Sequence, residues 1–175
     1  MKGDAMVGFT SVLEEALEAW SDTRLGLIEE VQNIPSRSFD FRPAAGVRSV
    51  REQVVHVLEV AMMMTEELTR PETNFQRTSW PDLLRPHTRR AEAARTKAQL
   101  VALLRSQLRE GEARFRKAGE LHMLQFLVRF DGERGTRLAW LHHGIAQEMY
   151  HRGQLTLYQR LLGLEPALTR RIRGG

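Results

Sequence analysis

The residues best equipped for chemistry are gathered in Gln147-Glu148-Met149-Tyr150-His151-Arg152-Gly153-Gln154, just after His142 and His143. Imidazole and carboxamide groups can both donate to a metal ion. At about 100° per residue, His143, Gln147 and His151 advance only about 40° at each four-residue step, so a helix would align them on one stripe. Gln154 and Tyr158 continue that stripe, with Trp140 above it. Two ligands one turn apart are the natural way for a helix to offer a pair of donors to one divalent ion. The spacing alone is weak, because histidine pairs at this interval also arise by chance on solvated helices.

A third donor must come from elsewhere, and His56 is the candidate. It shares a helical stripe with Glu52, Glu59, Met63, Glu66 and Glu67. One reading is an exposed histidine among glutamates. The other is a polar stripe lining a cleft opposite the last helix, with Glu59 orienting the imidazole. His87 and His122 lie in poorly patterned segments and are assigned no role.

The elements that must position these residues are helical. A first run, about Thr10 to Val31, places Val12, Leu13, Ala16, Leu17, Trp20, Leu25, Leu27 and Ile28 near one side, with Glu14, Glu15 and Glu18 opposite. Pro35 ends it, and an extended connection follows to Gly46. Ser49 with Glu52 forms a capping box that opens a second helix to about Thr69. The segment 71–90 contains Pro71, Pro81 and Pro86 and reads as mostly loop. Thr96 with Gln99 opens a third helix to about Lys117, and Gly119 stops it. Residues 120–134 fit either a short strand or a helical turn. The last helix runs from about Thr136 to Leu162, with Leu138, Leu141, Ile145 and Met149 as its expected apolar side. Four long helices with one substantial loop predict an α-bundle.

Composition narrows the class. At 175 residues, with 42% hydrophobic and 27% charged residues, the chain is sized for one domain with a full core. The absence of cysteine excludes disulfides and thiolate zinc sites, and agrees with a reducing cytoplasm. Val60-Ala61-Met62-Met63-Met64, the longest uncharged apolar run, is far short of a membrane span, and Met1-Lys2-Gly3-Asp4 lacks a secretory apolar segment. A cytoplasmic location is expected. Net charge is +4 and the pI about 10.1. The arginines are interleaved with glutamates and lack alternating aromatics, so a solvated surface is expected rather than a nucleic-acid partner.

Three stretches carry a family resemblance. Ser49-Val50-Arg51-Glu52-Gln53-Val54-Val55-His56 is similar to a second-helix entry ending in a ligand histidine. Gln147 to Gln154 is similar to a His-Glu-x-x-His-Arg-Gly-Gln motif. Leu155 to Pro166 supplies a matching tail. The whole chain resembles the DinB/YfiT-like family. The resemblance implies an all-α, antiparallel four-helix bundle over residues 1–175, with a long loop between the second and third helices. It also implies a homodimer and a divalent metal, zinc, nickel or manganese, held by three histidines.

Carried over by residue, the metal ligands are His56, His151 and the third position, Gln147, where the family commonly has histidine. A carboxamide oxygen can coordinate a metal but is neutral, and a poorer donor than imidazole for zinc or nickel. His143 replaces it only if the ion shifts about 6 Å along the helix. That ranks below ligation by Gln147, or no tight metal at all.

The implied function is that of a metal-binding protein acting on a small molecule, as a metal-dependent hydrolase or a thiol-dependent transferase. Open metal positions would acidify water or a thiol, or polarise a carbonyl. The alternative is a non-catalytic dimeric stress-response or binding protein with a degenerate metal site. Glu148 and Tyr150, as proton-transfer candidates, lie off the centre of the stripe. Gly153 is expected to admit another helix closely, and Arg152 to pair with a carboxylate.

Overall fold

The structure, a computed structural model, describes residues 10–174; Met1-Lys2-Gly3-Asp4, and with it the expectation about a secretory segment, lies outside them. Seven helices follow in order: α1 (Val12–Asn33), α2 (Val50–Thr69), α3 (Trp80–Glu92), α4 (Lys97–Ala118), α5 (Glu120–Met123), α6 (Arg137–Leu161) and α7 (Ala167–Arg173). A 3-10 turn at Ser36–Ser38 follows α1, and two short strands, β1 (Phe126–Val128) and β2 (Arg134–Thr136), pair antiparallel before α6. The expected bundle is formed by α1, α2, α4 and α6. No helix among the described residues is long and apolar enough to cross a membrane.

Local chemistry sets the ends. Ser11, Ser49, Thr96 and Thr136 each accept a hydrogen bond from a first-turn backbone N–H, and the Ser49–Glu52 and Thr96–Gln99 capping boxes both close. Gly119, at φ 83°, turns the chain out of α4 in a conformation that a side chain would strain.

Residue pairs give the direction of each helix. Gln53 meets Gln154 and His56 meets His151, so α2 and α6 are antiparallel. Arg24 reaches Gln107 while Glu14 reaches Arg116, so α1 and α4 are antiparallel too. Trp20 pairs with Glu148 and Asn33 with Gln159, so α1 and α6 run the same way. Arg51 bonds the Ala94 carbonyl while Thr65 meets Gln107, so α2 and α4 also run alike. A parallel pair needs a connection that returns the length of the bundle. The segment between Thr69 and Lys97 does this, and carries α3 on its way.

That helix corrects the sequence expectation for 71–90. Ser79 caps it through the Asp82 N–H, and Pro81 sits in its first turn, where the missing N–H costs nothing. Pro86 lies further in, on an exposed side, and forfeits one backbone hydrogen bond. Burial of Leu83, Leu84 and Ala91 offsets that loss. The ambiguous 120–134 segment resolves into both forms, the helical turn α5 and then β1. Helix α7 was not expected; the Ala167 and Leu168 N–H groups at its start donate to buried Glu30 at 2.8 and 3.1 Å.

The apolar interior falls into two clusters. One holds Leu13, Leu17, Trp20, Met64, Phe115 and Leu141, and the other Leu27, Ile28, Val54, Leu58, Leu104 and Leu155. A polar layer separates them. Arg24, fully buried, donates to both oxygens of Glu148 at 2.7 and 2.5 Å, to the Leu104 carbonyl and to Gln107. Trp20 donates its indole N–H to Glu148 at 2.7 Å, and Gln107 donates to Thr65. Every bundle helix contributes.

Candidate metal centre

The last helix keeps the first half of the inner face that periodicity suggests, with Leu141 in the core and Leu138 and Ile145 packed against it, and departs from it further on. Leu141, Glu148, His151, Arg152, Leu155, Tyr158 and Gln159 are buried, whereas Met149, assigned to the apolar side, is exposed. The reason is the polar layer: Glu148 is drawn inward by Arg24, which turns Met149 outward. Glu148 therefore ties α6 to α1 through Arg24 and Trp20. Tyr150 is exposed and stands edge-on to the His151 ring.

Two other expectations are corrected. Gly153 is exposed, and a Cβ there would meet nothing within 4 Å, so it admits no neighbouring helix within the chain. The glycines that permit close approach are Gly26, where a Cβ would collide with the Arg152 guanidinium, and Gly111, where it would collide with Trp20. Arg152 thus packs over Gly26, with no carboxylate partner among the described residues.

His56 and His151 do come together. Their rings stand edge to face, with centroids 5.0 Å apart. Each is held at Nδ1. The His56 Nδ1 is 2.7 Å from Glu59 Oε1, the arrangement anticipated for Glu59. The His151 Nδ1 is 2.7 Å from Gln154 Oε1, an oxygen that also accepts from Gln53 Nε2 at 2.6 Å. A carboxylate and an amide oxygen can only accept here, so both Nδ1 atoms carry a proton, and in the neutral imidazole it is Nε2 that presents the lone pair.

The anchors are themselves anchored. Glu59 Oε2 accepts from the Thr88 hydroxyl at 2.5 Å, which is how α3 reaches the site. Burial pushes the Glu59 carboxyl up, but hydrogen bonds from His56 and Thr88 outweigh it and leave it below the ordinary value. Tyr158 donates to the Arg48 carbonyl at 2.9 Å and lies against Gln53, tying the lower edge to the α1–α2 connection. Burial lowers the pKa of His151, the hydrogen bond to Gln154 opposes this, and the nearby His56 and Arg48 add to the lowering. The neutral ligand form is thereby favoured.

Gln147 lies one turn from His151 on the same helix. Both its carboxamide atoms are sealed from solvent, and neither has a hydrogen-bond partner. An orphaned buried amide costs about 1–3 kcal/mol, a cost that a water or a ligand would remove. His143 is not brought to the pair; it is exposed and leans on Trp140, with centroids 4.6 Å apart and ring planes tilted by 47°. His122 meets the Leu68 carbonyl at 3.0 Å, and His87 is 3.9 Å from Glu66.

The donor set fits a divalent ion in part. Two imidazoles on one tetrahedral ion, at metal–nitrogen distances of about 2.0–2.1 Å, bring their ring centres roughly 5 Å apart, as found. However, no three His, Asp or Glu side chains among the described residues cluster as a metal site. Gln147 is the carboxamide one turn along the same helix as His151.

The DinB family model matches residues 6–173, nearly the whole chain. The chain belongs to the DinB family. Two solved structures of Bacillus subtilis proteins show the same fold. The DinB-like protein YjoA shares 19% identity at a TM-score of 0.64, over 85% of this chain and 92% of its own. YfiT, described as a probable metal-dependent hydrolase with an unusual four-helix bundle topology, shares 18% at a TM-score of 0.64, over 90% and 94%. No curated protein matches the chain.

Proposed function

We propose that this DinB protein is a divalent-metal-dependent enzyme of hydrolytic type, with His56, His151 and the Gln147 amide oxygen as protein ligands. The observation that carries the reading is the pair of imidazoles, each bonded through Nδ1 to an acceptor, which leaves Nε2 as the ligand nitrogen of the neutral ring. The family relationship supports it, as does the description of YfiT as a probable metal-dependent hydrolase. A bound ion would supply Lewis acidity and a water of lowered pKa at positions the protein leaves open. Glu59 and Gln154 hold the imidazoles in their ligand tautomer. Thiol-dependent transfer would make the same demands on these residues.

The carboxamide at 147 also favours a second reading, a bundle that has lost tight metal binding and serves as a binding or stress-response protein. Metal analysis of tag-free protein separates the two. Stoichiometric zinc, nickel or manganese that disappears in His56→Ala and His151→Ala supports the enzyme. Metal-free protein whose melting temperature does not rise with any of these ions would sink it.

A homodimer through the outer face of α6 belongs to either reading. Met149, Tyr150, Leu157 and Leu161 form an exposed apolar stripe, with exposed Gly153 at its middle leaving room for a close neighbour. Gly153→Glu should give monomers in sedimentation; an unchanged mass would place the contact elsewhere.

A further inference from the structure

His56 and Glu59 also form one wall of a cleft of about 480 Å³ between the start of α2, the α1–α2 connection and the end of α3. This volume lies within the roughly 300–1,000 Å³ typical of small-molecule sites. Four arginines line it, with four carboxylates, so the formal charges balance. Their partners do not. Glu52 is taken by Arg42, and Glu59 by His56 and Thr88. Arg51 spends its guanidinium on the Ala94 and Arg95 carbonyls, which leave its charge uncompensated. The side chains of Arg48 and Arg95 have neither an ion-pair nor a hydrogen-bond partner among the described residues. Asp40 and Glu92 are the carboxylates left to face these three cations.

A second cleft, of about 660 Å³, shares Asp40, Arg51 and Arg95 with the first and continues to Lys97. It adds a cation and no further acid. The Lys97 ammonium is held by the Gln32 and Ile34 carbonyls, again with no carboxylate. The two clefts adjoin along Asp40, Arg51 and Arg95, and Arg48 lines the one that holds His56.

We propose that the first cleft binds an anionic small molecule, a carboxylate or phosphate, with Arg48 and Arg95 holding the negative group and the rest of the molecule reaching His56, the member of the His56–His151 pair that lines it. Arginine suits the task because its planar donors match both oxyanions. The proposal rests on the reading of that pair as the reactive centre, and it specifies the substrate's charge.

The test uses metal-free full-length protein at fixed ionic strength, titrated with inorganic phosphate, with citrate and with neutral sorbitol, following the His56 and His151 imidazole resonances by NMR. Phosphate or citrate should shift the His56 resonance saturably, and sorbitol should not. The stronger of the two anions identifies the head group. Arg48→Ala and Arg95→Ala should each weaken binding roughly tenfold, as expected for a charge-assisted hydrogen bond. Arg48→Lys should recover part of the loss, and Arg85→Ala, outside the cleft, should bind as the parent does. All three sites are exposed, and a melting curve for each variant checks the fold. Equal shifts by sorbitol, unsaturable shifts, or parental binding by Arg48→Ala and Arg95→Ala would each overturn the proposal. Because no metal is present, such a failure leaves the metal reading intact, and absence of metal affinity leaves the anion result standing.

Discussion

Two polar regions meet on α6 only three residues apart, and they are built to opposite specifications. Around Glu148, the carboxylate has Arg24 and Trp20, the guanidinium also has Gln107 and the Leu104 carbonyl, and Gln107 has Thr65. Around His151, each histidine is fixed on one nitrogen only, and both amide atoms of Gln147, together with Gln53 Oε1, lack partners. A closed network holds helices in register and has nothing left to bind with. An open one is unfavourable by itself and invites a ligand. Burial is similar at both, with Glu148 at 1% and His151 at 5% exposed, so burial does not separate structure from site. Satisfaction does.

The largest effect should come from breaking the closed network. Arg24→Ala or Glu148→Ala leaves a buried charge alone and should cost about 3–5 kcal/mol in denaturant unfolding. The double variant Arg24→Met/Glu148→Met should recover most of that loss, because apolar side chains of similar volume need no partner. A loss under about 1 kcal/mol in the single variants would deny the layer its structural role.

The open region should respond in the reverse sense. His56→Ala should abolish bound metal while lowering metal-free stability far less than Arg24→Ala does, read by metal analysis and by melting of the apo form. Glu59→Gln keeps the shape but weakens the acceptor behind His56. It should reduce metal affinity roughly 10–100-fold, as changes behind a ligand histidine usually do. An unchanged affinity would remove Glu59 from the site.

Gln147→Met is the sharpest contrast. Replacing an orphaned amide by an apolar chain of similar size should stabilise the metal-free protein by about 1–3 kcal/mol and weaken metal binding. Stabilisation without any change in metal affinity would show that Gln147 is a strained core residue and not a ligand. Gln147→His should tighten zinc or nickel instead.

The smallest effect concerns a closed pair at the rim. Glu67 accepts two hydrogen bonds from Arg77, each at 2.6 Å, and one from Thr73. Burial raises its pKa, but these partners outweigh it and leave the carboxyl below its ordinary value of 4.5. The unfolded chain therefore takes up the proton first as pH falls. The contribution is fully present above about pH 4.5 and is lost as pH drops from there through the lowered folded value. Glu67→Gln should flatten that part of the stability curve, and an unchanged acid limb would rule the pair out.

Helix starts and stops were legible because they are local. Ser49 with Glu52, Thr96 with Gln99, and Gly119 each act within one turn, and the structure has all three. Helix α3 was hidden because prolines were counted as breakers, although Pro81 stands where the missing N–H is harmless and Leu83, Leu84 and Ala91 already marked a buried side. The polar layer also has a sign in the sequence: Arg24 lies one turn beyond Trp20 on a buried stripe, and Glu148 lies between Leu141 and Leu155 on another. Opposite charges on two apolar stripes indicate a buried pair. Gly153 misled because its small size was visible, whereas the absence of any neighbour was not.

By itself the sequence determined the helical class, the capped ends and the stripe that aligns Gln147 with His151, since all of these depend on spacing along one chain. It also named His56 and Glu59, yet left open whether they face solvent or a cleft. Tertiary structure decided that question. Only the antiparallel packing of α2 on α6 sets His56 against His151, and only α3, returning along the bundle, brings Thr88 to Glu59. The unpartnered amide of Gln147 is likewise a tertiary fact, because a hydrogen bond is missing only once every neighbour has been placed.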